Sequence, residues 1–188
     1  MFRPSIRQSV VLALALSACG DGARPRTETS TTTTARPAVI PADGGEKRLL
    51  RGGTAPLYIK VDPISTGSET LMMGSSDLPP GDAIGVHRHL LEEEIIVITR
   101  GTGRVQLGQE FHTAEAGATV FIPRGTCIGL TNVGPDTLSN FFVFSSPGFE
   151  HALRAVSSIP GEQPIPLTPE LRAEAFLEGH AVANPTDC

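Results

Sequence analysis

From Leu57 onward the chain runs as short apolar stretches alternating with polar positions and broken every few residues by Gly, Pro or Asp. A strand shows successive side chains to opposite faces, so short alternating runs bounded by turn formers predict an antiparallel sandwich or barrel. The spacing places strands near 57–61, 69–73, 83–89, 93–99, 103–107, 110–113, 119–122, 127–132 and 137–145. In Glu94-Ile95-Ile96-Val97-Ile98 and Phe141-Phe142-Val143-Phe144 apolar residues fall on both faces. Neither side of such a strand can be left in water. One face is expected to fill the interior, and the other to be covered by C-terminal helices or by a second subunit in a homodimer. After Pro147 the period lengthens, and Phe149, Ala152, Leu153 and Val156 share one face of a helix. A second helix is expected to open at Thr168, which can cap it, with Pro169 in the first helical position and Glu170 in the first turn. The fold class is therefore all-β with one or two C-terminal helices laid against the sheet.

The N-terminal part reads differently. Basic Arg3 and Arg7, an apolar stretch at 10–16 and then small residues have the layout of an export signal, so residues 1–18 are set apart from the fold. Leu16-Ser17-Ala18-Cys19 resembles the lipobox of bacterial lipoproteins. That resemblance implies a diacylglycerol on Cys19, a mature chain starting there, and residence in the cell envelope on the exported side of the membrane. Its alternative is an ordinary secretory signal with an incidental cysteine. Acyl chains gain about 0.8 kcal/mol per buried CH₂, so a lipidated Cys19 would hold the soluble part on a membrane surface, and this N-terminal lipid is the only membrane contact expected. Residues 20 to about 45, with Thr31 to Thr34 and scattered Pro, Gly and Arg, offer almost nothing to bury and read as a disordered tether. The expected division is a signal peptide at 1–18, the lipidated cysteine and tether at 19–50, a β domain at 51–146 and a helical extension at 147–188.

Composition narrows this further. The 188 residues include 20 Gly and 16 Pro, which suits many turns and disfavours a helical bundle or coiled coil. A formal charge of -5 gives no electrostatic reason for a nucleic-acid partner, and the leader's two arginines leave with it. With Cys19 assigned to lipid, Cys127 and Cys188 remain in an oxidising compartment, able to pair or to stay free. Because Cys188 lies in a Pro-containing tail, the simpler expectation is no structural disulfide.

Chemistry concentrates in one segment. His87 and His89 stand two apart on an expected strand, so both imidazoles leave the same face, and Glu94 on the next strand can reach the same point. Two imidazoles and a carboxylate form the ligand set of a facial triad for Fe(II), and would also suit Mn, Co, Ni or Zn. The alternative reading of His-x-His is two hydrogen-bonded or surface histidines. The spacing Gly81, His87, His89, Glu94, Gly101 resembles the first signature of the cupin superfamily, G-x5-H-x-H-x4-E-x6-G, at every defined position. Gly117, Pro123, Gly125 and Asn132 approach the second signature, G-x5-P-x-G-x2-H-x3-N, with all spacings kept. The resemblance covers roughly residues 57–145. It implies a jelly-roll barrel with an inward metal, a small-molecule substrate or ligand and, if the protein is an enzyme, dioxygenase or other oxygenase chemistry, or isomerase chemistry.

One position departs. Ile128 stands where the second signature has its histidine, so the fourth protein ligand is missing. Alternation turns Ile128, Leu130 and Asn132 inward and Cys127 outward, unless a bulge brings the thiol to the metal. The expected outcomes are a three-ligand metal site or a metal-free, non-catalytic cavity for a sugar or small acid. In the second case a bare buried Glu94 would have to be protonated, paired or exposed. Glu92 and Glu93 read as a solvated acidic edge, with Glu93 a fallback ligand. Arg88 and Arg124 read as solvated surface charges. His112, His151 and His180 lie outside the motifs and are offered as no ligand, and no nucleophile with a neighbouring base, phosphate loop or zinc-finger spacing occurs.

Overall fold

In the computed structural model, which describes residues 34–188, two antiparallel sheets face each other across one apolar interior. The strands are β1 (Glu46–Leu50), β2 (Ala55–Val61), β3 (Met72–Leu78), β4 (Ala83–His89), β5 (Glu94–Arg100), β6 (Thr102–Leu107), β7 (Glu110–Glu115), β8 (Thr119–Ile122), β9 (Ile128–Asn132), β10 (Leu138–Phe144) and β11 (Ala181–Ala183). Helices α1 (Phe149–Ala155) and α2 (Pro169–Glu178) lie between β10 and β11. One sheet runs β1-β2-β3-β10-β5-β8 and the other β11-β4-β9-β6-β7. This is the antiparallel arrangement expected from the turn-bounded strands, in the jelly-roll form that the resemblance implied.

Alternation sets the interior. Along β3 and β10 every second residue is buried, which places Met72, Leu78, Leu138, Phe142 and Phe144 inside. Each such side chain contributes roughly 1.5–3 kcal/mol on leaving water. Gly74 pairs with Phe142 across the ladder, and a Cβ there would stand 2.3 Å from the Phe142 ring. The glycine is what lets that ring lie flat on β3.

Several parts of the chain differ from the sequence reading. The segment assigned to a tether at 19–50 ends in a strand, β1, which pairs with β2 from Glu46 opposite Ile59 to Leu50 opposite Ala55. It is masked in the sequence by its charges. Arg48 is buried because its guanidinium donates to Ser157 Oγ at 3.0 Å and to the carbonyls of Arg154 and Ser157 at 2.6 and 2.7 Å. The strand expected at 69–73 begins only at Met72. The helices cover the other side of the sheet from the one left over: Phe149 and Phe176 turn into the mouth between the sheets. The outer face of the six-stranded sheet therefore keeps Ile95 and Phe121, which are neighbours across the β5–β8 ladder, 40% and 55% exposed.

Helix α2 starts as expected, with Leu171 N–H donating to Thr168 Oγ1 at 3.2 Å and Pro169 in the first turn. The chain then returns to the five-stranded sheet: β11 pairs with β4, placing Ala181 opposite His89 and Ala183 opposite His87. A disulfide joins Cys127 to Cys188, with Cα atoms 5.9 Å apart, and overturns the expectation of none. What brings the two thiols together is β11, which folds the tail back along β4 beside the loop entering β9. No helix among the described residues is long and apolar enough to cross a membrane. The export signal and Cys19 lie outside the described residues.

Candidate metal centre

His87 and His89 leave the same face of β4 and point between the sheets, where they are 4% and 2% exposed. Glu94, the first residue of β5, is 5% exposed and completes the group. One ligand atom from each of the three lies within 4.8 Å of the others, and His89 Nε2 stands 3.5 Å from Glu94 Oε2. The two ring centroids are 4.9 Å apart with planes nearly perpendicular. Alternation on one strand and a short turn to the next thus bring together the three residues singled out in the sequence.

The hydrogen bonding of these groups fits a cation. His87 Nδ1 donates to the Gly85 carbonyl at 2.9 Å, which fixes the tautomer and leaves the Nε2 lone pair free. Both ring nitrogens of His89 and Oε2 of Glu94 are buried without a hydrogen-bond partner. An unsatisfied buried polar atom costs about 1–3 kcal/mol, and more for a charged one. A divalent ion would satisfy one His89 ring nitrogen and Glu94 Oε2 together. Burial pushes the His87 pKa down to about 3, and the neighbouring His89 adds to this, while the Gly85 carbonyl opposes it. The ring is therefore neutral at ordinary pH, the form a metal requires. Phe144 and Phe149 press on His89 with centroids 4.7 and 4.5 Å away, and Phe149 stacks on His87 at 5.9 Å. This aromatic collar keeps water away from the ligands.

The other singled-out residues sort clearly. Ile128 is 1% exposed and pairs with His87 across the β4–β9 ladder, so the departure from the second signature faces inward beside the cluster. Cys127 is held by Cys188 and supplies no thiolate. Glu92 is no solvated edge: it is 1% exposed and accepts a hydrogen bond from His180 Nδ1 at 2.7 Å. The pairing holds Glu92 inward, with the donor supplied by a half-exposed His180 just past the end of α2. Glu93 is exposed, its backbone N–H donating to Ser145 Oγ, and it lies outside the cluster. Arg88 pairs with Asp187 at 2.6 Å, Arg124 is exposed, and His112 and His151 are exposed on β7 and α1.

A cavity of about 330 Å³ opens beside the cluster and is mainly apolar. His87 and Glu94 line it together with Ile128, Phe142, Phe149 and Phe176. Two cations, Arg51 and Arg172, also line it. Arg172 was not singled out by sequence reasoning. Its only signal was the four-residue spacing to Phe176 on α2, which puts both on one helix face. A more open depression of about 610 Å³, bordered by Arg36, Val61 and Glu69, contains none of the three clustered residues.

Residues 74–145 match the family profile described as Cupin domain. Among solved structures, a protein described as a predicted oxalate decarboxylase from Thermotoga maritima aligns with a TM-score of 0.52 at 21% identity, over 58% of this chain and 99% of its own. An RmlC-like cupin from Shewanella frigidimarina aligns with a TM-score of 0.51 at 17% identity, over 61% of this chain and 95% of its own. No curated protein matches the chain. The fold of the described residues is thus the cupin jelly roll.

Proposed function

We propose that this chain is an exported, lipid-anchored cupin-type protein that holds a divalent metal on His87, His89 and Glu94 and takes a small organic molecule into the adjoining cavity. The observation that carries the reading is the set of buried, partnerless acceptor atoms on His89 and Glu94, close to a His87 whose tautomer is already fixed. Fe, Mn, Ni, Co and Zn all accept two imidazoles and a carboxylate. Three protein ligands leave coordination positions for a substrate, and a bound ion would supply Lewis acidity or redox chemistry there. Oxygenase or isomerase activity is the enzymatic form of this reading, by analogy with the family signature. The chain's own contribution is to hold His87 in one tautomer through Gly85, to screen the ligands with Phe144 and Phe149, and to offer an apolar wall to the molecule that enters.

Elemental analysis of the purified protein tests the reading, with His87→Ala as control. Stoichiometric metal in the wild type, lost in the variant, supports it. A metal-free wild type that still binds organic ligands would instead make this a binding module built on the same cavity. The anchor rests on Arg3, Arg7, the apolar stretch at 10–16 and Leu16-Ser17-Ala18-Cys19. Mass spectrometry of the membrane-extracted protein should find an acylated Cys19, and Cys19→Ser should release the protein in soluble form. A homodimer through the exposed face around Ile95 and Phe121 is the remaining part of the proposal. Sedimentation velocity should find a dimer, and Phe121→Arg should yield a monomer.

A further inference from the structure

The cavity beside the clustered ligands is lined by a cation that no carboxylate of the described residues neutralises. Arg172 reaches in from α2, half-buried, with its Cζ 5.1 Å from the centroid of Phe176. Among the described residues no carboxylate lies within 4.0 Å of it. Its hydrogen bond is to a neutral acceptor, Nη1 donating to Asn184 Oδ1 at 3.3 Å. The second cation, Arg51, is already paired, with Nε 2.6 Å from Asp82 Oδ2. Two arginines therefore line one small apolar cavity, in which Arg51 is taken up by Asp82 and the lining carboxylate, Glu94, belongs to the clustered ligands. Burial, and after it the charge of Arg51, hold the Arg172 pKa below the usual arginine range, so the guanidinium is charged but poorly compensated.

Backbone chemistry makes room for it. A Cβ on Gly85 would stand 2.9 Å from Arg172 Nη2 and 3.1 Å from Nη1, so the guanidinium lies against bare backbone on β4. Gly85 is also the residue whose carbonyl orients His87. The arginine is thereby placed beside the candidate metal centre rather than out in solvent.

We infer that Arg172 is a specificity-determining residue that receives the carboxylate of an organic acid whose apolar part fills the cavity. This deepens the proposed function and rests on its reading of the cavity as a small-molecule site. A planar guanidinium forms two parallel hydrogen bonds to a carboxylate, which a neutral amide cannot match. The cavity stands at the small end of the roughly 300–1,000 Å³ range of ligand sites. Its occupant is thus a compact acid, with a short aliphatic or single-ring body against Ile128, Phe142 and Phe149.

Calorimetric titration of the full chain with hexanoate and benzoate, beside hexanamide and benzamide, tests this. The acids are expected to bind at least about tenfold tighter than the amides, a difference of about 1.4 kcal/mol. In Arg172→Gln the acids should lose that advantage while amide binding and metal content stay unchanged, and Arg172→Lys should retain part of it. Gly85→Ala, which crowds the guanidinium, should weaken the acids selectively. Equal affinity for acids and amides in the wild type, no binding of either, or an acid preference that survives Arg172→Gln would each overturn the inference. Metal content read on the same samples separates the two proposals. A metal-loaded protein without acid preference refutes the role of Arg172 alone, whereas an acid preference in a metal-free protein upholds it and refutes the metal centre.

Discussion

Ile128 sits directly across the β4–β9 ladder from His87. Cross-strand partners keep their Cβ atoms about 4.5–5.5 Å apart, so a side chain at 128 shares the space into which His87 projects. An aliphatic residue there removes a donor and adds apolar wall at once. It gives the cavity a hydrophobic floor where a fourth imidazole would otherwise stand.

Ile128→His should therefore raise metal affinity. The added imidazole enters beside donors that are already buried and oriented, and the expected gain is on the order of tenfold or more, about 1.4 kcal/mol. Competition against a fluorescent chelator measures it directly. No gain would mean that the three ligands do not converge on the 128 side.

The ion pair beneath α1 predicts an acid-sensitive stability. Asp62 is fully buried, which by itself would raise its pKa, yet hydrogen bonds from Ser65 and the Arg154 guanidinium at 2.6 Å hold it below the usual carboxylate range. A carboxylate whose folded pKa lies below its unfolded value, about 3.9, stabilises the fold above that value. The contribution is lost as pH falls through the folded pKa. Asp62→Asn should cost roughly 1–3 kcal/mol at neutral pH. It should also flatten the loss of stability below about pH 4. Urea midpoints across pH 2.5–7 for both proteins check the sign.

The Cys127–Cys188 bond, closing a separation of 61 residues, predicts a reducible component of stability. Cross-links of this span contribute about 2–4 kcal/mol, largely by restricting the unfolded chain. Cys188→Ser, or the wild type with reductant, should lower the denaturant midpoint accordingly. Hydrogen exchange should speed first in β11, which the bond holds against β4.

Gly74→Ala tests the interior packing. The added methyl has no place between the Phe142 ring and the Tyr58 carbonyl, 2.3 and 2.6 Å from where it would be built. Overpacking of this kind costs about 1–3 kcal/mol. Thermal melts should show the loss, and an unchanged melting temperature would mean that Phe142 turns aside freely.

The parts of this fold that were legible in the sequence are those that obey a period. The strands at 83–89 and 119–122 appear with the expected bounds because apolar alternation and flanking turn residues agree. Thr168 and Pro169 announce α2 through local capping chemistry alone. The grouping of His87, His89 and Glu94 follows from strand alternation across one turn. What escaped depends on partners far along the chain. The charges of β1 conceal a strand because Arg48 finds its acceptors in and just after α1, more than 100 residues on. Glu92 reads as surface until His180 is placed beside it, and the disulfide needs the return of β11. Arg172 belongs to the same class, since its place in the cavity depends on the docking of α2.

The stretch that matches the cupin profile ends at residue 145, whereas Phe149, Phe176 and Arg172 of the cavity wall come from beyond it. Under the proposed function the ion's ligands thus come from the matched stretch and the cation that selects the guest from the length after it, which a short ladder and one sulfur bridge hold to the sheet. Under the proposed function, substitutions in the appended length would readdress the site to a different molecule while His87, His89 and Glu94 keep their places.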